Sequence, residues 1–180
     1  MTFTTAGDSV ERIATYCRVE QLSFSLLGGW VAGVETPAAK LALLAAADHC
    51  AWRSRRWFEM LPTAPPGPDA YLTPTTIERD AFDGVADLDG AGARLSLAFE
   101  ELLPALRAAM RLHLDRTTEV ADAPVRRLLR ISITDVSDDL DAAAGALDQV
   151  FALPGERDAA DRLRAQRTGS GASFDHIFGA

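Results

Sequence analysis

Apolar residues recur at helical spacing in four long segments, and nowhere do they alternate as a half-buried strand requires. The first segment runs from about Ser9 to Val34. Ile13, Cys17, Phe24, Leu27 and Val31 share its stripe, and Glu20 occupies the place between Cys17 and Phe24. Asp8 or Ser9 can cap it, and Glu11 suits the first turn. The Gly28–Gly29 pair, with Gly33, weakens the helix and is expected to admit a close neighbour. The second segment starts at Thr36-Pro37, a cap followed by proline, and stops before Pro62. The third runs from Ala91 to Arg116, with Pro104 expected to kink it by removing one helix hydrogen bond. The fourth starts at Asp122-Ala123-Pro124 and ends at Phe151, before Leu153-Pro154-Gly155. Ile131-Ser132-Ile133 is the nearest approach to a strand, and it is embedded in a helical stripe.

The connections between segments define a topology. The first and second helices are joined by about two residues and the third and fourth by about five, and links that short make each pair an antiparallel hairpin. Between them lies Pro62 to Gly90, rich in Pro, Gly, Asp and Thr. A connection of that length can run the height of a bundle and start the next helix at the far end, whereas an up-down-up-down bundle needs only short loops. The expected fold is all-α: a four-helix bundle with a long crossover between helices 2 and 3, with Tyr71-Leu72-Thr73-Pro74 packing the crossover onto the bundle. A short fifth helix can follow over Glu156–Arg167. Residues 1–167 then form the bundle domain. Residues 168–180 form a tail, in which Thr168 to Ser173 has linker composition. Phe174, Ile177 and Phe178 fall on one helical face and are expected to dock on their own bundle, on a second copy or on another protein.

Charge and composition narrow the functional classes. A formal net charge of −8 gives no basic face for phosphate contacts, so nucleic acid is not an expected partner. The longest mostly apolar stretch, Leu22 to Val34, is too short to span a bilayer and contains Ser23 and Ser25. No basic or apolar leader is visible over Met1 to Arg12, so the expected setting is the cytoplasm, away from membranes. Cys17 and Cys50 are too few for a secreted disulfide scaffold and are expected as buried thiols.

Candidate chemistry lies where carboxylates interrupt apolar stripes, because such a group is costly to bury unless it is paired or binds a cation. Glu20 is the strongest case, and on its stripe alone Glu20→Leu is expected to keep the fold. In the second helix, Asp48 falls on a stripe with Leu41, Leu44 and Trp52, and His49 lies beside it. In the third, Glu100 and Glu101 flank Leu95, Phe99, Leu102 and Leu106. In the fourth, Asp135 continues the stripe of Leu128 and Ile131, and Asp138 follows at i+3. Counting from the two hairpin turns, residue 20 is level with about residue 52. Residues 100 and 101 are level with about residues 137 and 138. Each hairpin thus places these groups at mid-height on facing helices. A structural alternative stands beside this reading: Glu20 and His49 as a buried pair fixing helix register, with Arg127, Arg130 or Arg53 neutralising Asp135 and Asp138. His113 lies on the third helix's core stripe and is expected to be a hydrogen-bonded core histidine. The run Trp52-Arg53-Ser54-Arg55-Arg56-Trp57 is expected to anchor a helix end or to bind an anion.

With its crossover and mid-height carboxylates, the chain resembles the ferritin-like superfamily over about residues 9–152. Dimetal members supply one Glu from each of two helices and a Glu-x-x-His from each of the other two. By that resemblance Glu20 matches the first-helix glutamate and His49 the second-helix histidine, with Ala46 where the accompanying Glu would stand. Glu101, with Glu100 beside it, matches the third-helix glutamate. Asp135-x-x-Asp138 takes the place of the last Glu-x-x-His. The resemblance therefore implies Glu20, His49, Glu101, Asp135 and Asp138 as the metal set. With its motifs degenerate, it implies no metal or substoichiometric iron or manganese. Glu20 as general base and His49 as its acid/base partner would be the catalytic pair of a ferritin-like oxidoreductase or hydroxylase, or of a metal-independent acid/base catalyst. Its small-molecule substrate would lie in the bundle core. The competing class is a non-catalytic helical module that forms a homodimer or docks a partner.

Overall fold

The protein is described from a computed structural model covering residues 6–170 and 173–179. Six helices form it, and no strand occurs among the described residues. Helix α1 spans Ala6–Trp30 and continues into a short 3-10 turn, Val31–Gly33; α2 spans Pro37–Phe58. Helix α3 is Thr76–Asp83. Helix α4 is built of Ala91–Ser96, a π-helical turn at Leu97–Leu102, and Leu103–Arg116. Helix α5 spans Ala123–Phe151 and α6 spans Glu156–Ser170; a 3-10 turn, Phe174–Phe178, follows.

The π turn is how α4 accommodates Pro104. Proline has no N–H to give to the carbonyl one turn back. Leu103 N–H reaches instead to the carbonyl of Ala98, so the ladder is widened just before the proline.

Helix α1 lies against α2 along its length, α2 against α5, and α5 against α4. Tyr16 Oη donates to the carbonyl of Ala109 at 3.2 Å, joining α1 to α4. Arg94, near the start of α4, lies against Gly33 at the far end of α1. Lower numbers in α1 therefore meet higher numbers in α4, so these two helices are antiparallel. The α2–α5 contacts run from His49–Asp139 to Arg53–Asp135, again antiparallel. Helices α2 and α4 consequently point the same way, and the connection between them runs the height of the helices.

Two stripes expected from the sequence are corrected. In α1 the buried line is Ile13, Cys17, Glu20, Ser23 and Leu27, with Tyr16, Val19 and Trp30 beside it, whereas Phe24 is 46% exposed. In α2 the expected stripe is the outer face: Leu41 is 67% exposed, Leu44 53% and Trp52 46%, and Asp48 is exposed with them. The buried side is Leu43, Ala46, Ala47, Cys50, Arg53, Ser54 and Trp57. Gly28 and Gly29 face open space, so they serve no close contact; Gly92 does, because a Cβ there would collide with the backbone of Glu156 at the start of α6.

The long connection is not featureless. Thr75 caps α3 through a capping box with Glu78, a Thr-x-x-Glu signature that the sequence reading passed over. Glu78 then accepts from Arg18 of α1, Nε to Oε2 at 2.8 Å and Nη2 to Oε1 at 2.9 Å, with both side chains buried. Arg18 Nη1 also donates to the carbonyl of Tyr71. One arginine thus fastens the connection to the first helix.

Helix α6 continues to Ser170, three residues past Arg167. Gly171, Ala172 and Ala180 of the expected tail lie outside the described residues. Phe174 and Phe178 are buried on their own chain, Phe174 edge-on to Phe82 and Phe178 beside Tyr16. No helix among the described residues is long and apolar enough to cross a membrane.

Candidate functional site

The centre of the bundle is organised by Arg53. It projects from the buried side of α2 and has no solvent exposure. Its Nε donates to Glu20 Oε1 of α1 at 2.7 Å. Its Nη1 donates to Asp135 Oδ2 at 2.5 Å and to Asp139 Oδ2 at 3.2 Å, both on α5. Its Nη2 faces Cys50 Sγ at 3.2 Å. Asp135 and Asp139 reach the same guanidinium because they are four residues apart, one turn of α5.

His49 stands at the rim of this cluster, one turn before Arg53 on α2, with its side chain 43% exposed. Its Nδ1 is 2.6 Å from Asp139 Oδ1 and 4.0 Å from Asp135 Oδ1. Each aspartate is thereby divided: Oδ2 turns inward to Arg53 and Oδ1 turns outward to His49.

The electrostatics follow from burial and pairing. Burial pushes the Glu20 carboxyl above the ordinary carboxylate range, against the pull of Arg53. Its second oxygen, Oε2, is buried without a hydrogen-bond partner among the described residues. Burial likewise holds the Cys50 thiol well above its usual range, with the charge of Glu20 adding to the effect. Arg53 loses solvation, but its carboxylate partners more than compensate and raise its pKa, so it stays charged. For His49, partial burial favours the neutral ring, yet the hydrogen bond and charge of Asp139 outweigh it and the pKa is raised.

Of the residues singled out from the sequence, Glu20, His49 and Asp135 meet here. Two do not. Glu101 faces α6, where Arg167 Nε donates to its Oε2 at 2.6 Å, and Glu100 likewise takes Arg164 at 2.8 Å. Asp138 is exposed, and the buried member is Asp139. The i+3 choice was wrong by one residue, because the face of α5 that meets α2 carries positions 135 and 139. Arg53, expected as one of three candidate neutralising partners and as part of the Trp52–Trp57 run, is the hub of the site; its place on the inner side of α2 with Cys50 and Ser54 is the signal that separates it from Arg55 and Arg56.

A second polar set lies in the same core. His113 is fully buried against Tyr16, which also stacks near Trp57. It is not the hydrogen-bonded core histidine expected: neither ring nitrogen has a partner among the described residues, and Trp57 Nε1 and Ser132 Oγ are also unpaired there. Burial, helped by the charge of Arg12, lowers the His113 pKa to about 4. Apart from these buried groups, a cavity of about 520 Å³ opens between α1 and α2, lined by Cys17, Phe24, Phe58 and Leu72 among others.

Compared with known family models, characterised proteins and solved structures, the chain matches none.

Proposed function

We propose that this chain is a ferritin-like helical bundle in which a guanidinium has replaced the dimetal centre, and that it works as a homodimeric binding and assembly module and not as a metal oxidase. The observation that carries the reading is Arg53, fully buried and bonded to carboxylates from two other helices. The order of helix contacts, with α2 and α4 running the same way across a long connection, supports the ferritin-like part. Glu20 faces Cys50 and Arg53, which are three residues apart, so the second-helix Glu-x-x-His register falls on Cys50-x-x-Arg53 and not on Ala46-x-x-His49. These residues do not fit a pair of metal ions. The ions would have to sit where the Arg53 guanidinium already stands between Glu20 and the two aspartates, and Glu101 is engaged elsewhere. A cytoplasmic setting, in which Cys17 and Cys50 remain free thiols, goes with this reading.

The outer face of α2 supports the assembly role. Leu41, Leu44 and Trp52 expose large apolar groups on one stripe; one turn to either side of Trp52 lie the exposed Asp48 and the part-buried Arg56, whose guanidinium lies over the Trp52 ring. A twofold axis through Trp52 sets residues 46–58 of two α2 helices antiparallel, stacks the tryptophans and places Asp48 of each copy opposite Arg56 of the other, which its own Glu59 also contacts at 2.7 Å; Leu41 and Leu44 lie beyond that overlap. That self-complementarity is what an isologous dimer requires. Light scattering tests it. The wild-type chain is expected at twice 19.3 kDa, and Trp52→Glu at the monomer mass with unchanged helical circular dichroism. A monomeric wild type, or a Trp52→Glu variant that stays dimeric, contradicts the reading.

A further inference from the structure

Beyond that reading, we propose that His49, Asp135 and Asp139 form a mononuclear site for a divalent transition-metal ion of the zinc type at the rim of the bundle. The site lies on the solvent side of Arg53 and differs in place and ligand set from a dimetal core. Arg53 holds Oδ2 of both aspartates, which fixes their planes and leaves Oδ1 of each turned toward His49. His49 Nδ1 lies 2.6 Å from Asp139 Oδ1 and 4.0 Å from Asp135 Oδ1, and the three side chains offer ligand atoms within 4.8 Å of one another.

The size is right. Tetrahedral zinc with bonds near 2.0–2.2 Å sets its ligand atoms about 3.4 Å apart. The two His49 separations, 2.6 Å to Asp139 and 4.0 Å to Asp135, lie on either side of that value. A small shift of the His49 ring toward Asp135 evens them. The ring has the freedom to do so, since it is the half-exposed member of the cluster.

The charge is right as well. Glu20, Asp135 and Asp139 bring three carboxylates to one guanidinium, leaving the cluster two charges short of neutral when the imidazole is neutral. One divalent ion closes that gap. An imidazole nitrogen with two carboxylate oxygens selects against magnesium and calcium, which prefer oxygen alone, and favours zinc, cobalt or nickel. Three protein ligands leave a fourth position open to water at the exposed rim. Arg53 acts here as a positioning residue for the two aspartates, in the way that outer partners orient first ligands at metal sites.

The experiment uses the full chain, freed of any affinity tag and stripped with chelator, titrated with zinc by calorimetry and with cobalt by visible absorption. One ion per chain is expected, with a d–d spectrum of low coordination number. His49→Ala alters an exposed rim side chain and should leave the fold intact by circular dichroism while weakening zinc at least about tenfold. Asp135→Asn, also part-exposed, should weaken it comparably, and His176→Ala, a control in the C-terminal turn, should change nothing. Absence of saturable binding overturns the proposal. So does binding unchanged in folded His49→Ala and Asp135→Asn, or two ions per chain that ignore both substitutions.

Discussion

Arg53 carries its charge with no solvent contact, and the physical question is what makes that tolerable. Removing an ion from water costs several kcal/mol even after relaxation, and close partners with good geometry must offset it. Here the offset comes from bonds to Glu20, Asp135 and Asp139 that use both edges of the guanidinium. His113 is the opposite case: a buried ring with no partner, kept neutral by its surroundings. The unfolded chain protonates this histidine below about pH 6.5, while the folded chain resists until about pH 4. The unfolded state therefore binds the extra proton in that window, and stability falls as pH drops through it, by about 3 kcal/mol in total. His113→Phe keeps the ring contact with Tyr16 and removes the titration. Melting curves at pH 7.5 and pH 5 should show the variant gaining more over wild type at the lower pH; an equal difference at both would contradict the assignment. At this scale the sequence was informative about Glu20, because a carboxylate inside an apolar stripe has few outlets. It was uninformative about Asp138 against Asp139, since adjacent acids on a helix differ by only 100° and the contact face decides between them.

Helices were legible as elements, but their faces were not. Caps, prolines and periodicity marked the four long helices. In α2, however, Leu41 and Leu44 lie outside while Ala46 and Ala47 lie inside beside Leu43, so the apolar stripe through the larger residues pointed to the wrong side. Close packing against α1 and α5 rewards the alanines there. Helix α3 was missed because Pro, Gly and Thr around it read as loop, although Thr75 and Glu78 carry the capping signature. That cap has an energetic consequence. Thr75 is exposed and its hydroxyl accepts from Glu78 N–H at 3.2 Å, so Thr75→Ala removes a cap while touching little else. The expected cost is about 1 kcal/mol. It should appear in urea melts as a lower midpoint with an unchanged slope, and in hydrogen exchange as faster exchange confined to α3 and its neighbours. No change in α3 exchange would show that Arg18–Glu78, and not the cap, holds the segment.

For the molecule as a whole, loop lengths were the informative signal: two short links made the hairpins, and a long one set α2 and α4 in the same direction. What the sequence left undecided was how the interior is neutralised, because that depends on which of several arginines turns inward. Arg53 turns inward and is the bundle's own central cation. The most direct measurement is a double-mutant cycle by urea unfolding with Glu20→Leu, Arg53→Met and the pair. The apolar stripe alone makes Glu20→Leu look harmless, but it strips the guanidinium of its Nε partner. Each single substitution should therefore cost about 3–5 kcal/mol by leaving an uncompensated buried charge. The double variant should cost less than the sum by at least about 1 kcal/mol, since the two charges leave together. Near-neutral single substitutions, or strictly additive ones, would contradict a guanidinium-centred bundle.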